Sequence, residues 1–329
     1  MKAVIITRPG GTEVLELQDR PVPQPATGEI RVRVRASALN RADILQRQGN
    51  YPVPAGAPAD IAGIEYAGEV DTVGDGVMLW KAGDRVMGIV GGGGHAEYLL
   101  VHEREALRAP TTMSWEDAAA IPEAFLTAYD ALFTRLNLRS GETLLIHAVG
   151  SGVGTAALQL AKIAGARVIG TARSADKLQR ATQLGLDIAV DASRGDWAAE
   201  VQKIAEADAV SAVLDLVGGN YLEGNLRVLA TKGRIVVVGL TAGAIAPMNM
   251  GVLLRKRATM VGTVLRARPL EEKIVLAREF SDRMIPFFEA GRLKPIVDRV
   301  FSFDEIRAAH QLMESNANFG KIVLAWDPR

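Results

Sequence analysis

The sequence predicts an α/β protein in two parts: a small, partly closed β-barrel domain and a doubly wound, parallel-sheet domain. Three observations carry that expectation. Residues 1 to about 120 hold short runs of alternating apolar and polar residues between Gly and Pro turns, the spacing of a small barrel. After residue 142 short aliphatic runs alternate with segments of helical period, as in a parallel sheet covered on both faces. Where the second pattern begins stands Thr143-Leu-Leu-Ile-His-Ala-Val-Gly-Ser-Gly-Val-Gly-Thr-Ala-Ala-Leu-Gln-Leu-Ala161: an apolar strand, a turn of small residues and a helix start.

In the first part, strands are expected at Lys2–Thr7, Val14–Leu17, Glu29–Ala36, Ile64–Val73, Arg85–Ile89 and His95–Val101, with a short helix at Arg41–Gln48. Pro21, Pro23 and Pro25 make an extended connector, because proline lacks the N–H a helix needs. Ser114-Trp-Glu-Asp117 has the form of a capping box before an alanine-rich helix, and a second helix is expected at Glu123–Arg135. The winding domain then takes strands at Thr143–Ala148, Arg167–Thr171, Ile188–Val190, Ala209–Asp215, Gly233–Val238 and Ala258–Thr263. Its helices fall at Gly152–Ala164, Ser174–Leu184, Trp197–Ala205 and Tyr221–Leu229. The tail supplies helices at Glu271–Ala290 and Asp304–Glu314 and strands at Asp298–Ser302 and Lys321–Ala325, which are expected to rejoin the barrel. The domain limits are therefore 1–120, 121–265 and 266–329.

Composition removes several classes of function. With 38 basic and 38 acidic residues the net charge is zero, so nothing favours nucleic acid or an anionic membrane as a partner. There is no cysteine among 329 residues, which rules out disulfides, thiolate nucleophiles and cysteine-ligated zinc. No apolar run approaches the ~20 residues of a membrane helix, and the start of the chain lacks a signal-peptide pattern; a cytoplasmic protein is expected. The four histidines, His95, His102, His147 and His310, lie on separate elements without ligand spacing, so no metal is expected. His147, inside a strand, reads as a hydrogen-bonded core residue, and no strand is followed by a G-x-S-x-G elbow.

The strand–turn–helix at 143–161 suits a dinucleotide pyrophosphate, which needs close backbone approach and free N–H groups at a helix N-terminus. The strict G-x-G-x-x-G pattern fails, its three positions being Val149, Ser151 and Gly154; a ligand-free strand-to-helix corner is the plain alternative. Gly150, Ser151, Gly152 and Val153 are the candidate pyrophosphate residues. The next strand ends in Gly170-Thr-Ala-Arg-Ser174 without the acid that usually binds a ribose 2′-hydroxyl. Arg173, Ser174 and Lys177 instead suit a 2′-phosphate, hence NADPH, although a solvated helix start has the same composition. Strand ends at Val217-Gly218, Gly239-Leu240 and Gly262-Thr263-Val264 would floor the nicotinamide end, or simply be strand-to-helix turns.

These segments carry a family resemblance. Val34-Arg-Ala-Ser-Ala-Leu-Asn-Arg-Ala-Asp-Ile-Leu-Gln-Arg-Gln-Gly-Asn-Tyr51, Gly63-Ile-Glu-Tyr-Ala-Gly-Glu-Val70, Ala119-Ala-Ile-Pro-Glu-Ala-Phe-Leu-Thr-Ala-Tyr129, Ile146-His-Ala-Val-Gly-Ser-Gly-Val-Gly-Thr-Ala156 and Ala317-Asn-Phe-Gly-Lys-Ile-Val323 span the chain. Together they resemble the zinc-independent quinone oxidoreductases of the zeta-crystallin type, in the medium-chain dehydrogenase/reductase superfamily. Leu39–Gly49 and Ala120–Ala124 are most similar to the branch of the tumour-suppressor-inducible quinone oxidoreductase. The resemblance implies a GroES-like β-barrel domain and a doubly wound Rossmann domain, with chemistry in the cleft between them. It also implies NADPH as cofactor, a homodimer built from edge strands around Ala242–Thr263, and a quinone or enone as small-molecule substrate.

Where zinc-dependent relatives place metal ligands, this chain has Asn40, Ile64 and Glu123, so the resemblance implies hydride transfer without a Lewis acid. Tyr51 would donate its hydroxyl to the charge arriving on the acceptor oxygen, and Asn40 would orient the nicotinamide ribose or the acceptor. Tyr51 as a packed loop aromatic and Asn40 as a helix cap are the plain alternatives. By the same resemblance Asp43 and Thr127 lie near the ribose and nicotinamide, and Asn318 and Lys321 approach the cofactor phosphate. Ala192 stands where the family often has a tyrosine beside the ribose phosphate, which weakens the expected NADPH preference. Reduction of a 2-alkenal or enone, or NADPH binding without turnover, are the alternatives to quinone reduction.

Overall fold

The computed structural model describes residues 1–205 and 210–327. The chain divides into two units, Met1–Leu126 with Leu265–Arg329, and Thr127–Val264.

In the first unit, β1 (Lys2–Ile6) and β2 (Leu15–Asp19) form an antiparallel hairpin. The main sheet is organised by the ten-residue β3 (Glu29–Ala38), whose apolar side chains alternate as the sequence does. Along its length β3 pairs with β4 (Glu65–Val73); on its other side it pairs first with β6 (Tyr98–His102) and then with β15 (Lys321–Ala325). Register shifts at Arg31/Val32 and Val34/Ala36 mark bulges, which bend a strand and let it change partners. β5 (Arg85–Ile89), β7 (Leu107–Arg108) and β14 (Val297–Ser302) complete the order β14-β15-β3-β4-β5-β7. The tail thus does rejoin the first sheet, through β15 beside β3.

The strand expected from His95 begins only at Tyr98, because residues before it serve the hairpin. His95 O accepts from Val4 N–H (2.9 Å), and Glu97 N–H donates to Lys2 O (2.9 Å). Inside the sheet Ile30, Val32, Val34, Tyr66, Val70, Val86, Leu99 and Val101 form one apolar core. A second core joins Val4, Leu39, Ile44, Phe303, Ile322 and Leu324 beneath α1 (Arg41–Arg47) and α10 (Ile306–Glu314). Ser114 caps α2 (Trp115–Ala119), its hydroxyl accepting from Asp117 N–H at 3.0 Å. α9 (Leu270–Glu289) buries Ile274, Ala277, Phe280 and Phe288.

α3 (Pro122–Tyr129) is shorter than expected and passes into a π-helical turn at Asp130–Arg135. In that turn the buried Asp130 carboxylate accepts from Thr263 Oγ1 at 2.6 Å.

The second unit is a six-stranded, all-parallel sheet in the order β10-β9-β8-β11-β12-β13. Its strands are β8 (Thr143–Ile146), β9 (Arg167–Ala172), β10 (Ile188–Asp191), β11 (Val210–Asp215), β12 (Leu229–Val237) and β13 (Thr259–Gly262). Counted from β8, that order is 3-2-1-4-5-6, so the winding reverses between β8 and β11, where such sheets bind ligands. The helices α4 (Gly152–Ile163), α5 (Ala175–Gln183), α6 (Trp197–Ala205) and α7 (Tyr221–Val228) follow the expected alternation. Ala209, expected to open the fourth strand, lies outside the described residues. One helix, α8 (Met250–Lys256), was not among the expected elements; none of its residues is fully buried. Asn249 caps it, accepting from Val252 N–H at 3.2 Å, and Val252 and Leu253 pack on the core of the sheet.

Candidate functional site

At the turn between β8 and α4, Ser151 is the helix cap and its Oγ accepts from Gly154 N–H at 3.1 Å. The N–H groups of Gly152 and Val153, first and second in α4, have no acceptor within a helix, and the first turn carries no acid. Both are half-buried, and the buried Gly150 precedes them. A Cβ on Gly154 would lie 2.4 Å from Ala148 O, so glycine is required for the helix to start this close to the strand. The left-handed backbone in this turn falls on Ala148, at φ 49°, and not on Val149. Val149 is instead buried: its N–H donates to Thr171 O at 3.0 Å and its side chain faces Gly170. A free helix N-terminus at the reversal point of the sheet fits a dinucleotide phosphate.

β9 ends at Ala172 without an acid. Arg173 is exposed, Ser174 caps α5, and Lys177 is half-buried one turn into that helix. Asp191 ends the neighbouring β10 in register with Ala172. Its Oδ1 accepts from Ser193 N–H and Oγ, and its Oδ2 lies 3.2 Å from Arg194. Those partners hold its carboxyl below the usual range.

At the end of β11 the buried Asp215 carboxylate shapes the next turn. Its Oδ1 accepts from Val217 and Gly218 N–H, both at 2.8 Å, and Oδ2 from Asn225 Nδ2 at 2.9 Å. Asn225 Oδ1 lies 2.6 Å from His147 Nε2, whose other nitrogen lies 2.9 Å from Thr171 Oγ1. His147 is thus a core histidine, and burial lowers its pKa. Gly218 takes φ 68°, and a Cβ there would meet the Leu240 side chain at 2.8 Å. A Cβ on Gly239 would lie 2.5 Å from Leu216 O, so the two strand ends approach too closely for a side chain there. Beyond β13, Val264 is exposed, and the Thr263 hydroxyl donates to Asp130 Oδ2 at 2.6 Å, which leaves its oxygen able to accept. Thr127, on α3, is buried.

The first unit holds a different kind of site. Glu65, on β4, is fully buried, and its Oε1 accepts from Lys321 Nζ at 2.6 Å and from Asn40 Nδ2 at 2.7 Å. Its Oε2 accepts from Glu123 N–H at 2.8 Å. Lys321 donates further to Asn40 Oδ1 (2.6 Å) and Leu39 O (2.9 Å), so three acceptors meet its three hydrogens. Burial pushes the Glu65 carboxyl up, against the pull of the Lys321 ammonium.

Two of the residues expected at the cofactor have internal partners here. Lys321, expected at the cofactor phosphate, is an internal cation with no hydrogen left over. Asp43, expected near the ribose, is fully buried, its Oδ2 accepting from Asn40 N–H at 2.7 Å and its Oδ1 from Gly63 N–H at 3.0 Å. It ties the start of α1 to the residues before β4. Asn318 donates to Gly320 O at 2.8 Å within its own turn. Asn40 stays half-buried at the cap of α1, held rigidly by Glu65 and Lys321.

Tyr51 is half-buried in its proline-rich loop, and its hydroxyl has no hydrogen bond among the described residues. Burial raises its pKa, Glu123 raises it further, and Arg266 lowers it. The Arg266 guanidinium carbon stands 5.1 Å from the Tyr51 ring centroid. Glu65, Arg266 and Asp215 were not singled out in the sequence. For Glu65 a signal existed: it is the one charge in Ile61-Ala-Gly-Ile-Glu-Tyr-Ala-Gly68, a run buried throughout. Among the described residues no three His, Cys, Asp or Glu side chains are placed to hold a metal ion. No described helix is long and apolar enough to cross a membrane.

Known proteins share this architecture. Residues 26–111 match the alcohol dehydrogenase GroES-like domain family, and residues 152–282 the family described as zinc-binding dehydrogenase. The quinone oxidoreductase-like protein 2 of Bos taurus is 35% identical over 94% of this chain and 88% of its own. A solved quinone oxidoreductase of Pseudomonas syringae superposes with a TM-score of 0.88 at 29% identity, covering 98% of this chain and 99% of its own. A structure described as an NAD-dependent alcohol dehydrogenase gives 0.87 at 34% identity, over 99% and 100%. The CurK enoyl reductase gives 0.86 at 28%, over 98% of each. With a GroES-like barrel, a doubly wound nicotinamide-nucleotide fold and full-length relatives of this kind, the chain belongs to the medium-chain dehydrogenase/reductase superfamily of oxidoreductases, with quinone oxidoreductases among its relatives.

Proposed function

We propose that the protein is an NADPH-dependent quinone reductase that works without zinc. The observation that carries this reading is the Asn40–Glu65–Lys321 cluster. Two of the three positions that align with zinc ligands in metal-dependent relatives hold Asn40 and Ile64, which offer no anionic or imidazole ligand. Beside them lies a buried ammonium, already neutralising the adjacent carboxylate. A second cation in that position would meet repulsion from Lys321. Without a Lewis acid, the acceptors that suit the site are those whose conjugation delocalises the incoming charge, as quinones do.

The turn residues Gly150, Ser151, Gly152 and Val153 would hold the pyrophosphate, and Arg173, Ser174 and Lys177 the 2′-phosphate. The strand ends at Val217, Gly218, Gly239, Leu240, Gly262 and Val264 would line the nicotinamide end. When bound, the cofactor supplies a hydride. Tyr51 offers a hydroxyl to the acceptor oxygen, and Asn40 presents an amide fixed by two charged neighbours. One such donor contributes ~2–4 kcal/mol to the transition state.

Likeness to an enoyl reductase favours a second reading, reduction of a 2-alkenal, in which carbon and not oxygen takes the final proton. Both readings are tested by following NADPH oxidation with 1,2- and 1,4-quinones, 2-alkenals and no acceptor, with NADH in parallel. Quinone turnover that falls about tenfold or more in NADPH affinity on Arg173→Ala, with NADH unchanged, is expected from the loss of a charge-assisted contact. Equal rates with both nucleotides would remove the role given to Arg173, Ser174 and Lys177; tight NADPH binding with no acceptor reduced would leave a binding protein.

The proposal extends to a cytoplasmic homodimer. β13 is an edge strand with Met260 exposed, and Ile245, Met250 and Leu254 are exposed nearby. Unpaired edges of this kind invite pairing with a second copy. Light scattering that gives the mass of one chain would overturn it.

A further inference from the structure

Arg266 carries a buried charge that the reading above does not use. The residue is 4% exposed. Its Nε donates to Gly91 O at 2.8 Å and its Nη2 to Gln46 Oε1 at 2.7 Å, so the fork is held in place by two neutral acceptors. Nη1 is buried and has no acceptor. No carboxylate among the described residues forms an ion pair with it, and burial lowers its pKa. The charges that oppose that effect are, in order, those of Asp43, Tyr51 and Glu123. Of these Asp43 already spends both oxygens on backbone N–H groups.

Burying a cation without a partner, and a donor without an acceptor, is costly, and neutral anchors do not offset the loss of hydration. Such a group is retained where its missing partner arrives with a ligand. The guanidinium also stands over the Tyr51 ring, and it is the one neighbour that lowers the Tyr51 pKa, which burial and Glu123 raise. A fixed positive charge over the ring of a phenol whose hydroxyl makes no internal hydrogen bond can serve as a receptor for an oxyanion.

We propose that Arg266 and Tyr51 together bind the negative oxygen of the reduced acceptor, the guanidinium supplying fixed charge and the phenol a transferable proton. This rests on the oxidoreductase reading above. Once hydride has been delivered, the acceptor carries two more electrons and an anionic oxygen. That oxygen rests against the guanidinium and takes the proton of the Tyr51 hydroxyl, which water then restores. Acceptors that present an anionic oxygen once hydride has been delivered are therefore the ones this pair recognises.

The probe is 4-nitrophenol, a stable phenol whose ionisation is read from its absorbance. Titrated on the wild-type protein with NADP⁺ present, its acid constant should rise about tenfold or more over its value in water, a shift of about one pKa unit. Arg266→Met should abolish the shift and cut quinone kcat by ~10²-fold, with the NADPH dissociation constant unchanged. Arg266→Lys, which keeps the charge, should restore part of both effects, and carries the test if Arg266→Met fails to fold. An unshifted nitrophenol on the wild type, or a shift and a kcat that survive Arg266→Met, would overturn the inference. A wild type that shifts nitrophenol but reduces no quinone or alkenal would leave the anion site standing and sink the quinone-reductase reading.

Discussion

Each unit of the protein ties a glutamate to a cation, and the two pairs respond to their surroundings in opposite ways. In the first unit Glu65 and Lys321 have side chains 0% and 5% exposed, and the Glu65 carboxyl is pushed up because burial outweighs its partner. In the second, Glu142 and Arg234 are 22% and 23% exposed and meet through two bonds of 2.7 Å. There the hydrogen bond to Arg234 outweighs burial, and the Glu142 carboxyl is held down. One pair is a structural tie near water. The other is a charge kept inside at a cost, and its remaining bonds all lead to Asn40, Leu39 and the start of α3. Burial of an ion pair adds little net stability, so its use is to fix the groups around it.

The largest effect should come from breaking the inner pair on one side only. Lys321→Met leaves Glu65 buried and unpaired, and is expected to cost about 3–5 kcal/mol in urea denaturation. The double variant Lys321→Met with Glu65→Gln removes both charges and should recover most of that loss. If the single variant is as stable as wild type, the pair is not the uncompensated liability inferred here. If the double variant is stable yet turns over poorly, the pair serves to hold Asn40, as the comparison suggests.

The two units also differ in how far the sequence announces their sites. The strand–turn–helix of the second unit is local, and its chemistry lies in backbone groups that small residues expose. Ser151, Gly152 and Gly154 were therefore legible even though the glycine pattern failed. Val149, which looked like a misfit, is explained by Ala148 taking the left-handed backbone one residue earlier. The alternating strands and helices were legible for the same reason, since periodicity marks strands and helices within short windows, whereas the strand order was not. Asn40, Glu65 and Lys321 lie 25 and 256 residues from one another in the pairs that matter, so no window contains them. Resemblance brought Lys321 and Asp43 to notice, but a lysine and an aspartate in a motif do not reveal the internal partners they hold. Arg266 gave no signal: its meaning is the acceptor it lacks, which only three dimensions show.

The smallest expected effect tests the sign of the contrast. Glu142 has a folded pKa below the ordinary value of 4.5, so it contributes stability above that pH and loses it as pH falls through the folded value. Glu65 has a folded pKa above 4.5, so its contribution is present below that pH and is lost as pH rises through the folded value. Glu142→Gln should accordingly flatten the acid side of the stability profile, by no more than about 1 kcal/mol, because half-exposed pairs are screened by solvent. Glu65→Gln should instead remove a decline that sets in as pH rises above the acid range. Urea midpoints measured from pH 4 to pH 8 read both slopes. Slopes of the same sign in the two variants would mean that burial does not separate the pairs, and that Glu65 is held charged by Lys321 as simply as Glu142 is by Arg234.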